Sequence, residues 1–253
     1  MRFDLVSSGS KGNATLVFSS DAVICLDFGI PKRRVKEALL SYGKKLEDVL
    51  GFFITHEHSD HAGHVDALPK EKVYASTLTL PRMEGTLPST NLLRPFSSVA
   101  LPPFTVTALP VSHDAKNPVA FLVSDGKESL AYVTDTGFVP EKDFPYLRNL
   151  DYYLFESNHD PEMLFHSRRP DSLIRRIISD KGHLNNQDCA DYLSILFGPK
   201  TKEVVLCHLS EECNTPETAL GTFEREMMRQ LGYVPGFKVT CASEREETKG
   251  GKE

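Results

Sequence analysis

Short apolar segments separated by polar turns dominate the first 160 residues of the chain. Runs of roughly four to eight residues rich in Val, Ile, Phe and Tyr alternate with Gly, Ser, Asp and Asn, which is typical of β-strands joined by tight turns. The segments that predict strands are FDLVSS, ATLVF, AVICLDF, GFFIT (51–55), VYAST, FTVTALPVSH, VAFLVS, LAYVTDT and DYYLFES. A helix is predicted among them over residues 31–42, with Pro31 placed to begin it and Gly43 to end it.

After residue 160 the apolar positions take up helical spacing. Leucines and isoleucines recur at helical intervals over 173–178, and a later helix opens with Thr215-Pro216-Glu217 and ends at Gly232. The segment EVVLCHLS (203–210) predicts one more strand between these helices. Strands and helices along one chain indicate an α/β protein.

No internal repeat, Gly/Ser-rich linker or change of composition divides the chain, so we predict a single domain over residues 1–242. Residues 243–253, SEREETKGGKE, are charged and lack apolar side chains, and we predict that they form a disordered tail. Five prolines lie within 81–103. This stretch is either the margin of a substrate cleft or a stiff surface loop.

Composition and charge narrow the class of protein. The chain has 253 residues, of which 40% are hydrophobic and 25% charged, as in globular proteins. Its five cysteines occur singly, which favours reduced thiols over disulfides or a zinc finger. The net charge of -6 argues against a broad phosphate-binding surface, although bound divalent cations can still attract an anionic substrate. No membrane span or signal peptide is evident, so we expect a cytoplasmic protein without membrane contact.

Three of the nine histidines lie in THEHSDH (55–61), directly after the predicted strand GFFIT. A loop that leaves a buried strand can aim His56 and His58 at one ion, while Asp60 and His61 face a second. Imidazole and carboxylate ligands suit divalent metals such as zinc or manganese, and the absence of a thiolate disfavours a structural zinc site. Further ligands are needed, and His113, Asp135 and His208 each close a predicted strand.

In these features the sequence resembles the metallo-β-lactamase superfamily, whose signature is His-x-His-x-Asp-His followed by a lone His, a lone Asp and a final His. Four further segments resemble its WalJ/YycJ branch: SSGSKGNAT (7–15), ESNHD (156–160), GHLNN (182–186) and HLSEECNTPETA (208–219). The resemblance implies an αββα sandwich, with two mixed β-sheets packed face to face and helices on the outer faces. It also implies two divalent ions per chain.

Carried over from the superfamily, the ligands divide into two sets. One set would bind the first metal and the other the second, with Asp135 bridging both. The first set is His56, His58 and His113, and the second is Asp60, His61 and His208. With Asp60 and Asp135 as the anionic ligands, two dications leave roughly +2 at the site, which favours an anionic substrate.

The function implied is a dinuclear metal-dependent phosphodiesterase, and first among such enzymes a 5′ to 3′ exodeoxyribonuclease that uses a hydroxide bridging the metals. The partner would be nucleic acid, DNA before RNA, or another phosphodiester. Alternatives are a cyclic or small-molecule phosphodiesterase, an RNA-processing nuclease, a thioester hydrolase of the glyoxalase II type, and a metal-loaded binding module without activity. The sequence leaves the oligomeric state open.

Catalysis also calls for a proton donor to the leaving group. The resemblance implies His183 as the candidate general acid, because relatives place a histidine that is not a ligand near the leaving group, and Asp60 is a second candidate catalytic residue. Asn185 or Asn186 would cap a helix that follows His183. Basic residues of the first helix and of 168–176 could track a nucleic-acid backbone or could be solvated helix faces. The candidate substrate contacts are Ser8, Asn13, His159 and Asn186.

Overall fold

The computed structural model describes residues 1–76, 79 and 91–252. Within these residues the strands form two mixed sheets of seven strands each. The first sheet has the order β14-β1-β2-β3-β4-β5-β6, antiparallel from β14 to β3 and parallel from β3 to β6. Its strands are β1 (Arg2–Ser7), β2 (Ala14–Ser19), β3 (Ala22–Leu26), β4 (Val49–Ile54), β5 (Val73–Ser76), β6 (Leu92–Leu93) and β14 (Thr248–Gly251).

The second sheet has the order β13-β12-β11-β10-β9-β8-β7, antiparallel from β7 to β10 and parallel from β10 to β13. Its strands are β7 (Ser98–Leu101), β8 (Phe104–Pro110), β9 (Val119–Ser124), β10 (Ser129–Val133), β11 (Tyr152–Glu156), β12 (Glu203–Cys207) and β13 (Lys238–Cys241). The described helices are α1 (Lys32–Ser41), α2 (Ser59–Ala62), α3 (Phe144–Leu147), α4 (Pro161–Phe165), α5 (Asp171–Ile177), α6 (Asn186–Leu196) and α7 (Pro216–Leu231).

Apolar side chains from both sheets form a shared core between them. Phe53 of β4 meets Phe121 of β9 edge to face, with ring centroids 5.8 Å apart, and Phe3 of β1 meets Tyr152 of β11 in the same way at 5.6 Å. Burial of each such ring stabilises the fold by about 1.5–3 kcal/mol. The two sheets therefore pack face to face, as the predicted sandwich requires.

Each sheet buries its other face under helices. The helix α1 packs its residues Val35, Ala38 and Leu39 against the first sheet, and α6 and α7 cover the second sheet. The last helix begins at the N-cap Thr215, whose side chain accepts a hydrogen bond from the Thr218 amide, and ends at Gly232 in the left-handed conformation. The layers run helix, sheet, sheet, helix, which confirms the predicted αββα class.

The prediction of a disordered tail over 243–253 is wrong for residues 248–251. These residues form β14, which pairs antiparallel with β1 and closes that edge of the sheet. The strand depends on backbone pairing and on a close approach of Gly250, where a β-carbon would overlap the Phe3 ring. Lys249 adds an ion pair with Asp4 at 3.7 Å. None of these contacts needs apolar side chains in the tail, and a hydrophobic pattern is therefore no guide to it.

The proline-rich stretch 81–103 also differs from the prediction where the structure describes it. Residues 98–101 form β7, which pairs with β8, and residues 92–93 form the short strand β6. Residues 81–90 lie outside the described part of the chain, and the interpretation of that part as a cleft margin or surface loop stays a prediction.

Candidate metal centre

The THEHSDH motif begins where the buried strand β4 ends, at the edge shared by the two sheets. The chain turns through the short helix α2, so that His56 and His58 precede the turn and His61 lies within it. Gly29 makes this packing possible, because a β-carbon there would overlap the Asp60 carbonyl oxygen. The Phe28 amide donates to the His61 carbonyl at 2.7 Å, which ties the motif to the end of β3.

The predicted ligands gather into groups whose donor atoms lie within 4.8 Å of one another. One group is His56, His58 and His113, and another is Asp60, His61 and His208. Asp135 joins His56 and His61 in a third group, which contains one member of each of the other two. The structure therefore brings all seven predicted ligands together in two adjoining sets with Asp135 between them.

The distant ligands come from the second sheet. His113 follows β8, Asp135 follows β10 and His208 follows β12 directly. Asp135 and His208 have φ angles of 54° and 56°, in the left-handed region that non-glycine residues seldom adopt. Such residues cost about 1–3 kcal/mol each and concentrate at functional sites. The backbone is therefore strained at the two positions where it must turn a ligand into the cluster.

Hydrogen-bond acceptors lie beside the Nδ1 atoms of three imidazoles in the cluster. His113 Nδ1 lies 3.1 Å from the Gly182 carbonyl oxygen, and His208 Nδ1 lies 3.0 Å from Glu156 Oε1. His56 Nδ1 lies 2.9 Å from Thr55 Oγ1, whose own proton goes to Asp27 Oδ1. Each Nδ1 therefore donates, and each Nε2 keeps a lone pair for a ligand inside the cluster.

The residues fit a divalent cation. His56 Nε2 and His208 Nε2 are buried and have no hydrogen-bond partner among the described residues. His58 Nδ1 and His113 Nε2 lie 3.3 Å apart. Unsatisfied buried polar atoms cost about 1–3 kcal/mol each, and a cation between the donors would satisfy them. Nitrogen and carboxylate donors without thiolate are typical of divalent metal sites in hydrolases.

Asp27 is a carboxylate that the sequence interpretation did not assign. It follows β3, has a φ of 58°, and is completely buried. Its Oδ2 lies 2.7 Å from His61 Nδ1 and 3.0 Å from the Tyr132 hydroxyl, and its Oδ1 accepts from the Thr55 amide at 2.8 Å. Asp27 thus fixes His61 in the tautomer that offers Nε2. In the sequence, Asp27 could have been noticed as a single acidic residue at the end of a predicted buried strand, in LeuAspPhe.

Glu156 is the second such carboxylate, at the end of β11. Its Oε1 lies 2.8 Å from His183 Nδ1 and 3.0 Å from His208 Nδ1, while its Oε2 accepts from the Thr136 amide at 2.9 Å. Burial would raise the pKa of Glu156, but His183 and His208 hold it at about 2. An ionised Glu156 therefore orients a metal ligand and the candidate general acid together.

The predicted general acid His183 lies beside the ligands. Its ring centroid is 5.1 Å from that of His113 and 5.4 Å from that of His208. Its Nδ1 is 3.3 Å from Asp135 Oδ1, and its side chain is 12% exposed. Since His183 Nδ1 donates a hydrogen bond to Glu156 Oε1, Nε2 is the nitrogen left for a group in the cleft.

Two of the predicted substrate contacts, Ser8 and Asn13, hold the ligands in place. The Ser8 hydroxyl accepts from the His208 amide at 2.9 Å. Asn13 Nδ2 lies 3.0 Å from His61 Nε2, and the Asn13 amide donates to the Asp60 carbonyl at 2.7 Å. The loop SSGSKGN therefore touches the ligand set Asp60, His61 and His208. Direct contact of Ser8 or Asn13 with a substrate stays a prediction.

The other candidate residues differ in their surroundings. His159 is buried, its Nδ1 lacks a hydrogen-bond partner among described residues, and burial lowers its pKa to about 4. Asn186 is buried and bonded to Ser157 and Asn214 within the protein. Asn185 is the N-cap of α6, as one of the two predicted alternatives has it, and accepts from the Asp188 amide at 2.9 Å. Substrate contacts through His159 and Asn186 stay predictions.

The carboxylates of the cluster are ionised at neutral pH. Burial opposes ionisation, but His208 and His61 hold the pKa values of Asp60 and Asp135 well below their usual range. Burial also opposes a charge on His61, yet Asp135 and Asp27 raise its pKa well above the usual value. In the absence of a metal ion, protons would therefore take the positions that a cation is suited to fill.

Two facing mixed sheets with a His/Asp cluster at their shared edge define a metal-dependent hydrolase. Comparison with known proteins agrees: residues 25–209 match the family described as "Beta-lactamase superfamily domain". The chain belongs to the β-lactamase superfamily, in the branch that contains the exodeoxyribonucleases YycJ and WalJ, which confirms the resemblance seen in the sequence.

Individual relatives match over nearly the whole chain. Exodeoxyribonuclease YycJ of Bacillus anthracis is 32% identical and covers 98% of this chain and 95% of its own. Exodeoxyribonuclease WalJ of Streptococcus pneumoniae is also 32% identical, over 94% and 93%. Among solved structures, the metallo-β-lactamase fold protein YhfI of Bacillus subtilis has a TM-score of 0.69 at 16% identity, over 98% of this chain and 99% of that one. In the part of this chain that the structure describes, no helix is long and apolar enough to cross a membrane.

Proposed function

We propose that this protein is a dinuclear metal-dependent phosphodiesterase that degrades DNA from the 5′ end. The observation that carries the proposal is the pair of donor groups that adjoin at Asp135, with His183 beside them. The choice of DNA is supported by the nearly full-length relatives named exodeoxyribonucleases.

The first ion, zinc or manganese, would be held by His56, His58 and His113, and the second by Asp60, His61 and His208. Asp135 would bridge the two. When bound, the ions would supply an activated water as the nucleophile and would neutralise the charge that develops on the phosphate. Roughly +2 would remain at the site after the two carboxylates are counted, which suits a phosphodiester.

The chain's own residues would then orient the ligands and move the proton. Asp27 and Glu156 hold the imidazoles of His61 and His208 with their Nε2 atoms inward. In its doubly protonated form, His183 donates a hydrogen bond from Nδ1 to Glu156; it would give its Nε2 proton to the departing alkoxide and be left as the neutral imidazole. Asp60, whose side chain is 22% exposed, is the ligand carboxylate nearest to solvent and would contact the incoming water or substrate.

The test is end-labelled DNA, single- and double-stranded, carrying either a 5′-phosphate or a 5′-hydroxyl, incubated with the protein and Mn²⁺ or Zn²⁺. We expect mononucleotides to be released from the 5′ end, with loss of activity on chelation. A thioester of the glyoxalase II type and an RNA of the same sequence serve as competing substrates. Thioester turnover without DNA cleavage, or cleavage of RNA alone, would contradict the proposal.

A further inference from the structure

Residues 161–183, called here the arginine arm, leave the second sheet after β11 and return at His183. They contain α4 and α5, and they pack around a small separate core that includes Leu164, Ile177 and Cys213. A backbone bridge between His159 and Asn185 closes the base of the arm. Gly182, near its end, supplies the carbonyl that orients His113. The arm is therefore a distinct projection whose base is part of the metal centre.

The charge of the arm is opposite to that of the rest of the chain. It holds five Arg and Lys residues and three Asp and Glu residues, which gives a net charge of +2, whereas the whole chain has -6. The basic residues are Arg168, Arg169, Arg175, Arg176 and Lys181. Arg169 and Arg176 pair with Glu212 and Asp114, which lie outside the arm, so the charges of Arg168 and Arg175 are the arginine charges left to attract an anionic substrate.

Arg176 joins the arm to the rim of the metal centre. Its guanidinium forms a two-point pair with Asp114, with Nε to Oδ2 at 2.5 Å and NH2 to Oδ1 at 2.9 Å. Asp114 Oδ1 in turn lies 3.3 Å from His113 Nε2. Arg176 keeps 44% of its side chain exposed. The arm is thus anchored through Asp114 beside His113, a predicted metal ligand, and part of its surface adjoins the site.

Farther along the arm, exposed arginines accompany an exposed aromatic ring. Phe165, at the end of α4, is 58% exposed. Arg168 and Arg175 are also exposed, and neither forms an ion pair or side-chain hydrogen bond with the described residues. Cationic groups that follow a phosphate backbone, together with an aromatic face on which bases stack, are the combination by which proteins bind single strands.

We infer that the arginine arm is the surface along which a single strand of DNA runs into the metal centre, with Arg168 and Arg175 on phosphates and Phe165 stacked on a base. This inference rests on the proposed function and adds to it the surface and the strandedness. A single strand is favoured over a duplex because stacking on Phe165 requires a base with a free face.

The helix α1 also carries several basic residues, but their surroundings differ from those of the basic residues of the arginine arm. Lys32 donates to the Ala67 carbonyl and Arg34 to the Val6 carbonyl, so two of its four basic side chains are engaged by the protein backbone. Arg33 and Lys36 are exposed, and Arg33 pairs with Glu37 at 3.7 Å. They offer a control for nonspecific attraction.

The experiment measures binding of a 3′-labelled, 5′-phosphorylated single strand of about 12 nucleotides to the metal-loaded full-length protein. Phosphorothioate linkages keep the strand intact. The variants are Arg168→Gln with Arg175→Gln, Phe165→Ala, Phe165→Tyr, and the control Arg33→Gln with Lys36→Gln. Each is checked for an unchanged melting curve and metal content before binding is measured.

We expect the double arginine variant to weaken binding about tenfold and to reduce the slope of log Kd against log salt by about 1.4, as for two lost single-strand phosphate contacts. Phe165→Ala should weaken single-strand binding about tenfold and duplex binding less, and Phe165→Tyr should restore it. The α1 control should change Kd less than about twofold. Equal losses in the arm and α1 variants, or wild-type affinity in the arm variants, would overturn the inference.

Failure of the proposed function would look different. The unaltered protein is assayed in parallel with bis(4-nitrophenyl) phosphate and with DNA. If neither ester is hydrolysed, the proposed phosphodiesterase is wrong regardless of binding. If both are hydrolysed while the arm variants bind as the wild type does, the active site stands and the arm is not its DNA surface.

Discussion

Asp27 Oδ2 and His61 Nδ1 lie 2.7 Å apart, and both side chains are completely buried. The pair joins the end of β3 to the motif that follows β4, and it presents the other nitrogen of His61 to the cluster. Carboxylates in this position raise the basicity of the ligand and hold its ring, and their loss typically costs 10- to 100-fold in metal affinity or activity.

Asp27→Asn is therefore expected to weaken metal binding about 10- to 100-fold. Both carboxylate oxygens of Asp27 accept hydrogen bonds, and in the variant an NH₂ group, itself a donor, would replace one of these two acceptors. Titration of the apo protein with Zn²⁺ or Mn²⁺ in a calorimeter measures the effect. The control is Tyr132→Phe, which removes the 3.0 Å contact to Asp27 but keeps the pair with His61. An Asp27→Asn variant that binds metal as tightly as the wild type would show that the pair is not needed.

The two ligand sets predict different losses for two substitutions. Asp135→Ala removes the ligand placed between both sets and should abolish binding of both ions, whereas His208→Ala should mainly weaken the second. Elemental analysis of the purified variants gives the number of ions per chain. A wild-type protein that saturates at one ion, or an Asp135→Ala variant that retains two, would contradict the assignment.

His183→Ala is expected to keep the fold and the metals and to slow DNA hydrolysis by roughly 10² to 10⁴, the range for loss of a general acid. A nitrophenyl phosphodiester, whose leaving group needs no proton, should be affected less. The exposed histidine His64 provides the control variant His64→Ala. Equal losses on both substrates would indicate phosphate binding by His183 instead of proton donation.

Glu244 connects the C-terminal segment to the ligand-holding loop. Its Oε1 accepts from the Lys11 amide at 2.6 Å, and its backbone carbonyl accepts from the Ser7 hydroxyl at 2.8 Å. Glu244→Ala should loosen residues 8–13 and so weaken the second metal several-fold more than the first. Metal titration measures the effect, with the exposed Glu246→Ala as control. Identical metal binding by both variants would argue against this connection.

Asp4 predicts a pH dependence that does not involve the metals. Burial raises its pKa to about 6, despite a hydrogen bond from the Tyr42 hydroxyl at 2.9 Å. The folded state therefore binds a proton that the unfolded state has released, and stability falls as the pH rises from about 4 to 6. Asp4→Asn should lack this fall and melt higher by about 2–4 °C at pH 8, with little difference at pH 4. Thermal melts of the wild type and the variant at pH 4 and pH 8 measure the difference in melting temperature. The same difference at both pH values would refute the assignment.

The local parts of the candidate site and most of the fold could be predicted from the sequence. Four of the predicted ligands lie within residues 56–61 and the three others close apolar strands, so that periodicity and spacing were enough to name them as candidates. The boundaries of α7 could also be predicted, because they depend on neighbours in the sequence: Thr215 and Gly232 act on the backbone within one turn of the helix. The resemblance to the superfamily then predicted the order of the layers: helix, sheet, sheet, helix.

Tertiary structure alone decided the parts that depend on distant pairing. Asp27 and Glu156 become supporting carboxylates only when β3 lies beside β4 and β11 beside β12, which no spacing along the chain expresses. The strand β14 forms because β1 offers an unpaired edge at the other end of the sequence. Backbone hydrogen bonding at an edge and the orientation of an imidazole both arise from neighbours in space, and a pattern of hydrophobic residues carries no record of either.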